Sequence, residues 1–354
     1  MNTLEQYGWN EFFNQYNILI GNKDFVTGRV ISVKGFKYHL MLESGETEAE
    51  LSGKLLFGTD HELLPKVGDW VFCLKYDTMG YITEVYPRIN RLARKNPDNT
   101  SEKQILAANI DYALIVQGLD RDFNLMRLDR YLVQIMANGI SPIIVLNKAD
   151  LVSDREAYRN EVMRLGKECP VYFCSTYDGS GLEELLTKAL LPAKTSIMVG
   201  SSGVGKSSLL NSFKKSAARV TGPLSSSTNK GMHVTSTRDL FLLPNGSLII
   251  DTPGMREFGI ALEDGLQTDG LFPSIDEFSL KCRYDDCSHT NEEGCAVIEA
   301  FENGLLDPAV YNSYIKLMKE QKRFEIRAGD RKRMGKQFGK MIREAKDFRN
   351  RYKY

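Results

Sequence analysis

Gly200-Ser201-Ser202-Gly203-Val204-Gly205-Lys206-Ser207 has the glycine, lysine and hydroxyl spacing of a loop that wraps phosphate. It follows the apolar run Thr195-Ser196-Ile197-Met198-Val199 and leads into Ser208-Leu209-Leu210-Asn211-Ser212-Phe213, the strand, turn and helix start such a loop needs. Glycines let backbone N–H groups converge on phosphate oxygens, and the helix N-terminus adds partial positive charge. In that geometry Lys206 bridges the β- and γ-phosphates and the Ser207 hydroxyl is a Mg²⁺ ligand. Ser208 lies at the same helix start.

Two further segments end apolar runs. Asp251 closes Leu248-Ile249-Ile250 and precedes Thr252-Pro253-Gly254. A carboxylate at the end of a buried parallel strand sits where open α/β sheets bind ligands. There it would hold Mg²⁺ through water, with the Gly254 N–H facing the γ-phosphate. Asn147-Lys148-Ala149-Asp150 ends Pro142-Ile143-Ile144-Val145-Leu146. The Asp150 carboxylate can accept from guanine N1–H and its 2-amino group together; adenine offers neither donor, so GTP is favoured over ATP. Asn147 would support the base edge and Lys148 would lay its stem on the purine face. Ser175 and Thr176, after Val171-Tyr172-Phe173-Cys174, fit a backbone contact to guanine O6 or a plain strand exit.

The order of these elements is unusual, because the base-reading segment precedes the phosphate loop. An ordinary GTPase has the reverse, so the domain reads as circularly permuted. Between Ser212 and Asp251, the polar stretch from Thr221 to Thr235 has no apolar periodicity and is expected to be a switch loop. Thr235 is the expected metal-reaching hydroxyl, ahead of Thr237. Ras-like enzymes place a water-orienting Gln after the glycine of Asp-x-x-Gly. Here Met255 stands there, so another group must position water; His233 is the candidate, and a purely structural loop histidine is the competing reading.

A second constellation is Cys282-x4-Cys287-x-His289-x5-Cys295, set among polar turn formers. Three thiolates and one imidazole complete a tetrahedral Zn²⁺ shell with no open position, which is a structural rather than a catalytic site. A disulfide reading is poor, because no secretory signal is evident. Cys73, Cys169 and Cys174 lie singly in apolar surroundings and read as core.

The elements that position these groups follow. The chain of 354 residues has room for two or three domains. An amphipathic stretch from Leu4 to Tyr16 precedes strand-like runs at Phe25–Val33, Tyr38–Glu43, Glu48–Leu56, Trp70–Lys75 and Tyr81–Tyr86. This pattern fits a small barrel, OB or SH3-like. Phe36, Tyr38 and Tyr81 could stack on RNA bases or fill the core. Arg88, Arg91, Arg94 and Lys95 form a basic strip that either touches RNA or links domains.

Formal net charge is zero, yet from Lys316 to Tyr354 there are fifteen Lys/Arg against five Asp/Glu. With 46 of each sign in the whole chain, that surplus of ten leaves a deficit of ten elsewhere. A basic tail on an acidic body suits a phosphate backbone; a solvated helix is the alternative. The tail reads as two helices broken near Ala328-Gly329-Asp330. No apolar run is long enough to span a membrane and no signal pattern opens the chain, which points to a cytoplasmic protein. Nothing signals oligomerisation, so a monomer is the default.

The permuted order, Met255, the Gly231-x-His233-x-Thr235 segment and the cysteine cluster together resemble the small-ribosomal-subunit biogenesis GTPases of the RsgA (YjeQ/YloQ) family, over nearly the whole chain. The resemblance implies a multidomain α/β protein: an OB-fold barrel in residues 1–100, a permuted P-loop GTPase in 101–272, and a zinc module with basic helical tail in 273–354. It also implies a late-acting assembly factor that hydrolyses GTP on the 30S subunit, binds its rRNA and is stimulated by it. The family's proposed catalytic histidine falls on His233. Val234 stands where a Thr is common, and Ser175-Thr176 replaces the commoner Ser-Ala. Two other readings remain: an RNA-binding protein in which GTP is chiefly structural, favoured by Met255, and a P-loop ATPase or small-molecule kinase, opposed by Asn147 and Asp150.

Overall fold

The computed structural model describes residues 2–20, 25–58, 63–95, 103–221, 238–251, 272–308, 310–316 and 318–319. They fall into two compact units, one drawn from 1–94 and 103–261, the other from 95–102 and 262–354. His233, Thr235, Thr237, Gly254 and Met255 lie outside the described residues, as does nearly all of the basic tail.

The first unit begins with two short helices, α1 (Thr3–Gln6) and α2 (Glu11–Ile20). The single amphipathic stretch is thus interrupted, at Gly8, whose φ of +87° disfavours a side chain. Asn2 and Glu5 form a reciprocal capping box on α1. Trp9 and Phe13 then stack on each other with ring centroids 5.4 Å apart, and both rings meet Trp70.

Strands β1 (Val26–Lys34), β2 (Lys37–Leu42), β3 (Gly45–Leu51), β4 (Trp70–Tyr76) and β5 (Met79–Val85) close a barrel in the order β1-β2-β3-β5-β4-β1. β3 and β5 run parallel and the other pairs are antiparallel. A helix, α3 (Gly53–Gly58), bridges β3 and β4. This connectivity is that of an OB barrel and separates it from the SH3-like alternative. The expected strand to Leu56 is corrected: it stops at Leu51 and the chain turns into α3, because Gly53 and Gly58 bound one helical turn and a half whose buried residue is Leu55. Val30, Leu40, Leu42, Ala49, Val71, Cys73 and Ile82 fill the barrel. Tyr38 is in that core at 5% exposure, so its proposed stacking role is corrected, whereas Phe36 is 81% exposed.

The α/β sheet has the order β10-β9-β8-β11-β13-β12, formed by β8 (Tyr112–Gly118), β9 (Ser141–Asn147), β10 (Val171–Phe173), β11 (Thr195–Val199), β12 (Arg238–Leu242) and β13 (Leu248–Asp251). All neighbours are parallel except β12 with β13. Strands β8, β9 and β11 are near-continuous buried apolar runs, as strands covered on both faces must be. Helices α4 (Leu125–Ala137), α5 (Arg155–Met163), α6 (Leu182–Glu184, continued by a π turn over Leu185–Ala189) and α7 (Lys206–Thr221) accompany them. Between barrel and sheet, β6 (Arg91–Lys95) pairs with β7 (Lys103–Ala108).

Barrel and sheet are continuous. β1 pairs with β4 over Val26–Arg29, passes a bulge between Val30 and Ser32, then pairs with β12 at Ser32 and Val33. A bulge bends a strand and increases its twist, which lets β1 leave one partner and join another. Arg29, 1% exposed, seals the seam: its guanidinium donates to the carbonyls of Tyr7, Gly68 (3.3 Å) and Asn109 (3.1 Å). Arg88, read from sequence as part of a basic strip, is instead half of a buried pair, with Nη2 2.7 Å from Asp69 Oδ2 and side-chain exposures of 12% and 0%. No helix of the described residues is long and apolar enough to cross a membrane.

In the second unit, α8 (Pro273–Ser279) and α9 (Ala296–Glu302) flank the cysteine-rich turn. Among the described residues of this unit, Phe272, Ile275, Cys295, Val297, Ala300, Leu306 and Tyr314 are buried.

Candidate nucleotide site and metal centre

The C-terminal ends of β8, β9 and β11 meet at one sheet edge, with Asp251 ending β13 beside them. The phosphate loop leaves β11 at Gly200 and enters α7 at Lys206. Its glycines are required by space as well as by backbone angle. A Cβ on Gly200 (φ +148°) would lie 2.3 Å from the Val116 carbonyl oxygen, and one on Gly205 (φ +98°) 2.2 Å from Asn147 Nδ2. Val204 is buried, while Ser202, Gly203, Ser207 and Ser208 are exposed at the rim and Ser201 is half-buried.

Lys206 folds over its own loop. The ammonium donates to the carbonyls of Gly200 (2.7 Å) and Ser201 (2.6 Å). Burial pushes it down to about 8, opposed by Asp251 and Asp122. A cation held by carbonyl oxygens and two distant carboxylates is poised for an anion, which would raise its pKa again.

The residues expected to read the base fall into two hydrogen-bonded groups. Asn147 is fully buried and its Nδ2 donates to the Val204 carbonyl at 2.8 Å, tying the end of β9 to the phosphate loop. Lys148 takes the left-handed conformation (φ +62°, ψ +36°). Asp150 is exposed, and its Oδ1 accepts from the buried Ser175 hydroxyl at 2.5 Å. Ser175 Oγ in turn accepts from the Tyr177 and Asp178 backbone N–H groups, and the Ala149 N–H reaches the Cys174 carbonyl at 3.0 Å. The two short segments are therefore one hydrogen-bonded platform, with Thr176 half-buried at its edge.

Two residues that motif reading passed over lie here. Asp120 Oδ2 accepts from Lys148 Nζ at 2.5 Å, and Asp122 accepts from the Ser201 hydroxyl. Both follow β8 at the ligand-binding edge, so the placement rule that picked out Asp251 would have found them.

In the second unit the ligating atoms of Cys282, Cys287, His289 and Cys295 all lie within 4.8 Å of one another. His289 has φ +56°, a left-handed turn that brings Nδ1 to 3.6 Å from Cys282 Sγ and 3.4 Å from Cys295 Sγ. Tyr311 Oη–H donates to the His289 carbonyl at 2.9 Å and fixes that turn. Cys295 caps α9, its Sγ accepting from the Ile298 N–H at 3.5 Å. Burial and the neighbouring Cys295 and Cys282 push the Cys287 thiol up to about 12. Three thiolates this close need a cation between them, so the donor set fits a metal.

Residues 85–261 match the family model described as RsgA GTPase. A protein of Bacteroides thetaiotaomicron named small ribosomal subunit biogenesis GTPase RsgA 1 is 36% identical over 98% of this chain and 97% of its own length. Its counterpart RsgA in Syntrophotalea carbinolica is 39% identical over 89% of this chain and 88% of its own length. Among solved structures, YjeQ from Thermotoga maritima superposes with a TM-score of 0.61 at 28% identity, covering 84% of this chain and 98% of that one. YloQ, described as a circularly permuted GTPase, does so with 0.59 at 28% identity, covering 86% and 97%. With the family model matched over residues 85–261 and relatives 36–39% identical over 89–98% of the chain, the protein belongs to the RsgA GTPase family.

Proposed function

We propose that this protein hydrolyses GTP as a maturation factor of the small ribosomal subunit, the role named for its relatives. The observation that carries the nucleotide half is the meeting of Asn147 and the phosphate loop through one buried 2.8 Å hydrogen bond, with Asp150 exposed beside them. Asp150 reads N1–H and the 2-amino group of guanine, Lys148 covers the base, and the backbone of Ser175 and Thr176 meets O6. N–H groups from Gly200 to Ser208 cradle the phosphates and Lys206 turns from its own carbonyls to the β- and γ-phosphates. Mg²⁺, when bound, neutralises charge developing on the phosphates. Ser207, Asp251 and Thr235 are the residues to hold it, and Gly254 N–H meets the γ-phosphate. His233 orients the attacking water in place of the Gln that Met255 replaces.

The same reading assigns three parts to the chain: a barrel in 1–100, the GTPase in 101–272, and a module in 273–354 whose Cys282, Cys287, His289 and Cys295 hold one structural Zn²⁺. The exposed barrel face at Phe36 and the basic segment 316–354 supply rRNA contacts. The protein works as a cytoplasmic monomer. Because β12 follows the switch segment directly and pairs with β1, ordering of that segment by GTP is transmitted to the barrel, and hydrolysis loosens the grip on the subunit.

Steady-state GTP hydrolysis, alone and with purified small subunits, tests the proposal. Turnover should rise severalfold or more with small subunits and not with large ones, and His233→Ala should abolish the rise while leaving GDP binding intact. Slow turnover indifferent to subunits would favour the reading in which GTP is chiefly structural. Equal affinity for GTP and ATP would overturn both.

A further inference from the structure

The turn that leaves β8, Leu119 to Asn124, reaches both halves of the nucleotide site. It is rigidly built. Leu119 N–H donates to the Asn147 carbonyl at 2.8 Å, Asp122 N–H to Asp120 Oδ1 at 3.1 Å, and Phe123 N–H to the Asp120 carbonyl at 3.1 Å. Asn124 then caps α4, its Oδ1 accepting from Arg127 N–H at 2.9 Å, while Gln117 Oε1 accepts from Asn124 N–H. Each carboxylate is aimed by this frame. Asp122 meets the Ser201 hydroxyl on the phosphate loop and Arg127 Nη2 at 2.8 Å. Asp120 meets Lys148 Nζ at 2.5 Å.

We infer that Asp120 is a positioning residue for guanine-nucleotide binding, acting through Lys148; this rests on the guanine-nucleotide reading above. A lysine stem carries four freely rotating bonds before its ammonium, and an unheld stem must be ordered when a base is laid on it. Here both ends of that stem are fixed. The left-handed backbone of Lys148 sets its start, and Asp120 sets its end. The stem passes over Gly118, where a Cβ would lie in ordinary contact with Lys148 Cδ (3.4 Å) and would press on Asp120 Oδ1 (3.0 Å), so bare backbone leaves the carboxylate its place. The ion pair lowers the Asp120 carboxyl below its usual range, and keeps the ammonium engaged away from the purine face. Both side chains are 30% exposed, so the benefit is ordering of the stem more than Coulomb energy, which water screens. Asp120 therefore contributes to holding the base and contributes nothing to the hydrolytic step.

The test is a double-mutant cycle on the full-length protein with GDP and GTP as ligands, read by fluorescence competition, using Asp120→Asn, Lys148→Met and the pair. Asp120→Asn should weaken GDP and GTP alike by about fivefold, the size expected for one side chain that must be immobilised on binding. KM should rise by the same factor with kcat within twofold, and Asp120→Glu should recover part of the loss. The ratio of GDP to IDP affinity should not move, because Asp120 does not touch the 2-amino edge that Asp150 reads. The pair should bind no more weakly than Lys148→Met alone. A loss under twofold, or single effects that multiply in the pair, overturns the inference. A wild-type protein that binds neither GDP nor GTP overturns the guanine-nucleotide reading, and this one with it.

Discussion

Gly205→Ala probes most directly the junction between Asn147 and the loop proposed to bind phosphate. The added Cβ would sit 2.2 Å from Asn147 Nδ2, well inside contact distance, at a backbone φ of +98°. Holding a residue other than glycine in such a conformation costs about 1–3 kcal/mol. Asn147 is fully buried at the end of β9 and cannot swing into solvent, so relief of the clash breaks its bond to the Val204 carbonyl. Losing a buried amide bond costs about 1–3 kcal/mol more. The empty loop can relax by abandoning this shape, whereas a phosphate-bound loop cannot, so the combined cost falls on binding. Its lower end, about 2 kcal/mol, is roughly a thirtyfold loss of affinity at about 1.4 kcal/mol per tenfold. Gly203→Ala is the matched control, because Gly203 also has a left-handed φ (+83°) but nothing within 4 Å of its Cβ position. It carries strain without the clash. Isothermal titration with GDP, with circular dichroism to confirm folding, separates the two. If Gly205→Ala binds GDP within threefold of Gly203→Ala, the Asn147–Val204 bond does not set the loop and the reasoning fails.

Two more outcomes follow from the site chemistry. Lys206 stands at about 8 in the empty loop and phosphate raises it, so a proton is taken up on binding above that pH. GDP affinity should therefore be full below pH 8 and fall as pH rises through it, about tenfold by pH 9. Lys206→Met should lack this component while keeping any loss due to ionisation of guanine itself; matching pH profiles would refute it. For the cysteine module, metal analysis should find one zinc per chain. Chelation should abolish the thermal transition of the second unit while GDP binding persists, since structural zinc contributes about 10–16 kcal/mol in small modules. A metal-free protein that melts identically would show that the cluster is no metal centre.

Much of the candidate site was legible as local pattern, because the chemistry expected of it calls for particular residues at fixed local spacing. Gly200 to Ser207 and Asn147 to Asp150 are short, contiguous and chemically constrained, and each follows an apolar run long enough to read as a strand. The cysteine cluster spans only the short turn Cys282–Cys295, so chain proximity alone brings its ligands together. The barrel was legible as a barrel, because its strands alternate and are punctuated by glycines. Its kind was not, since parallel pairing of β3 with β5 joins strands far apart in sequence.

What the tertiary structure decided are relations between distant residues. Asp120 and Asp122 carry no motif; they became partners of Lys148 and Ser201 only when β8 was placed between β9 and β11. Arg88 looked like part of a basic surface until Asp69, on a different strand connection, buried its charge. Tyr38 and Phe36 are near neighbours of similar character, yet Phe36 sits in the tight turn between β1 and β2 and is left in solvent, while Tyr38, on β2, is buried in the barrel core. The continuity of β12 with β1 likewise depends on a bulge that no local preference announces. The sequence by itself determined which chemistry the chain can perform, because reactive groups and their glycine spacing are local. Only the fold decided which carboxylates, cations and aromatics remain available to it, because burial and pairing are set by contacts between segments far apart along the chain.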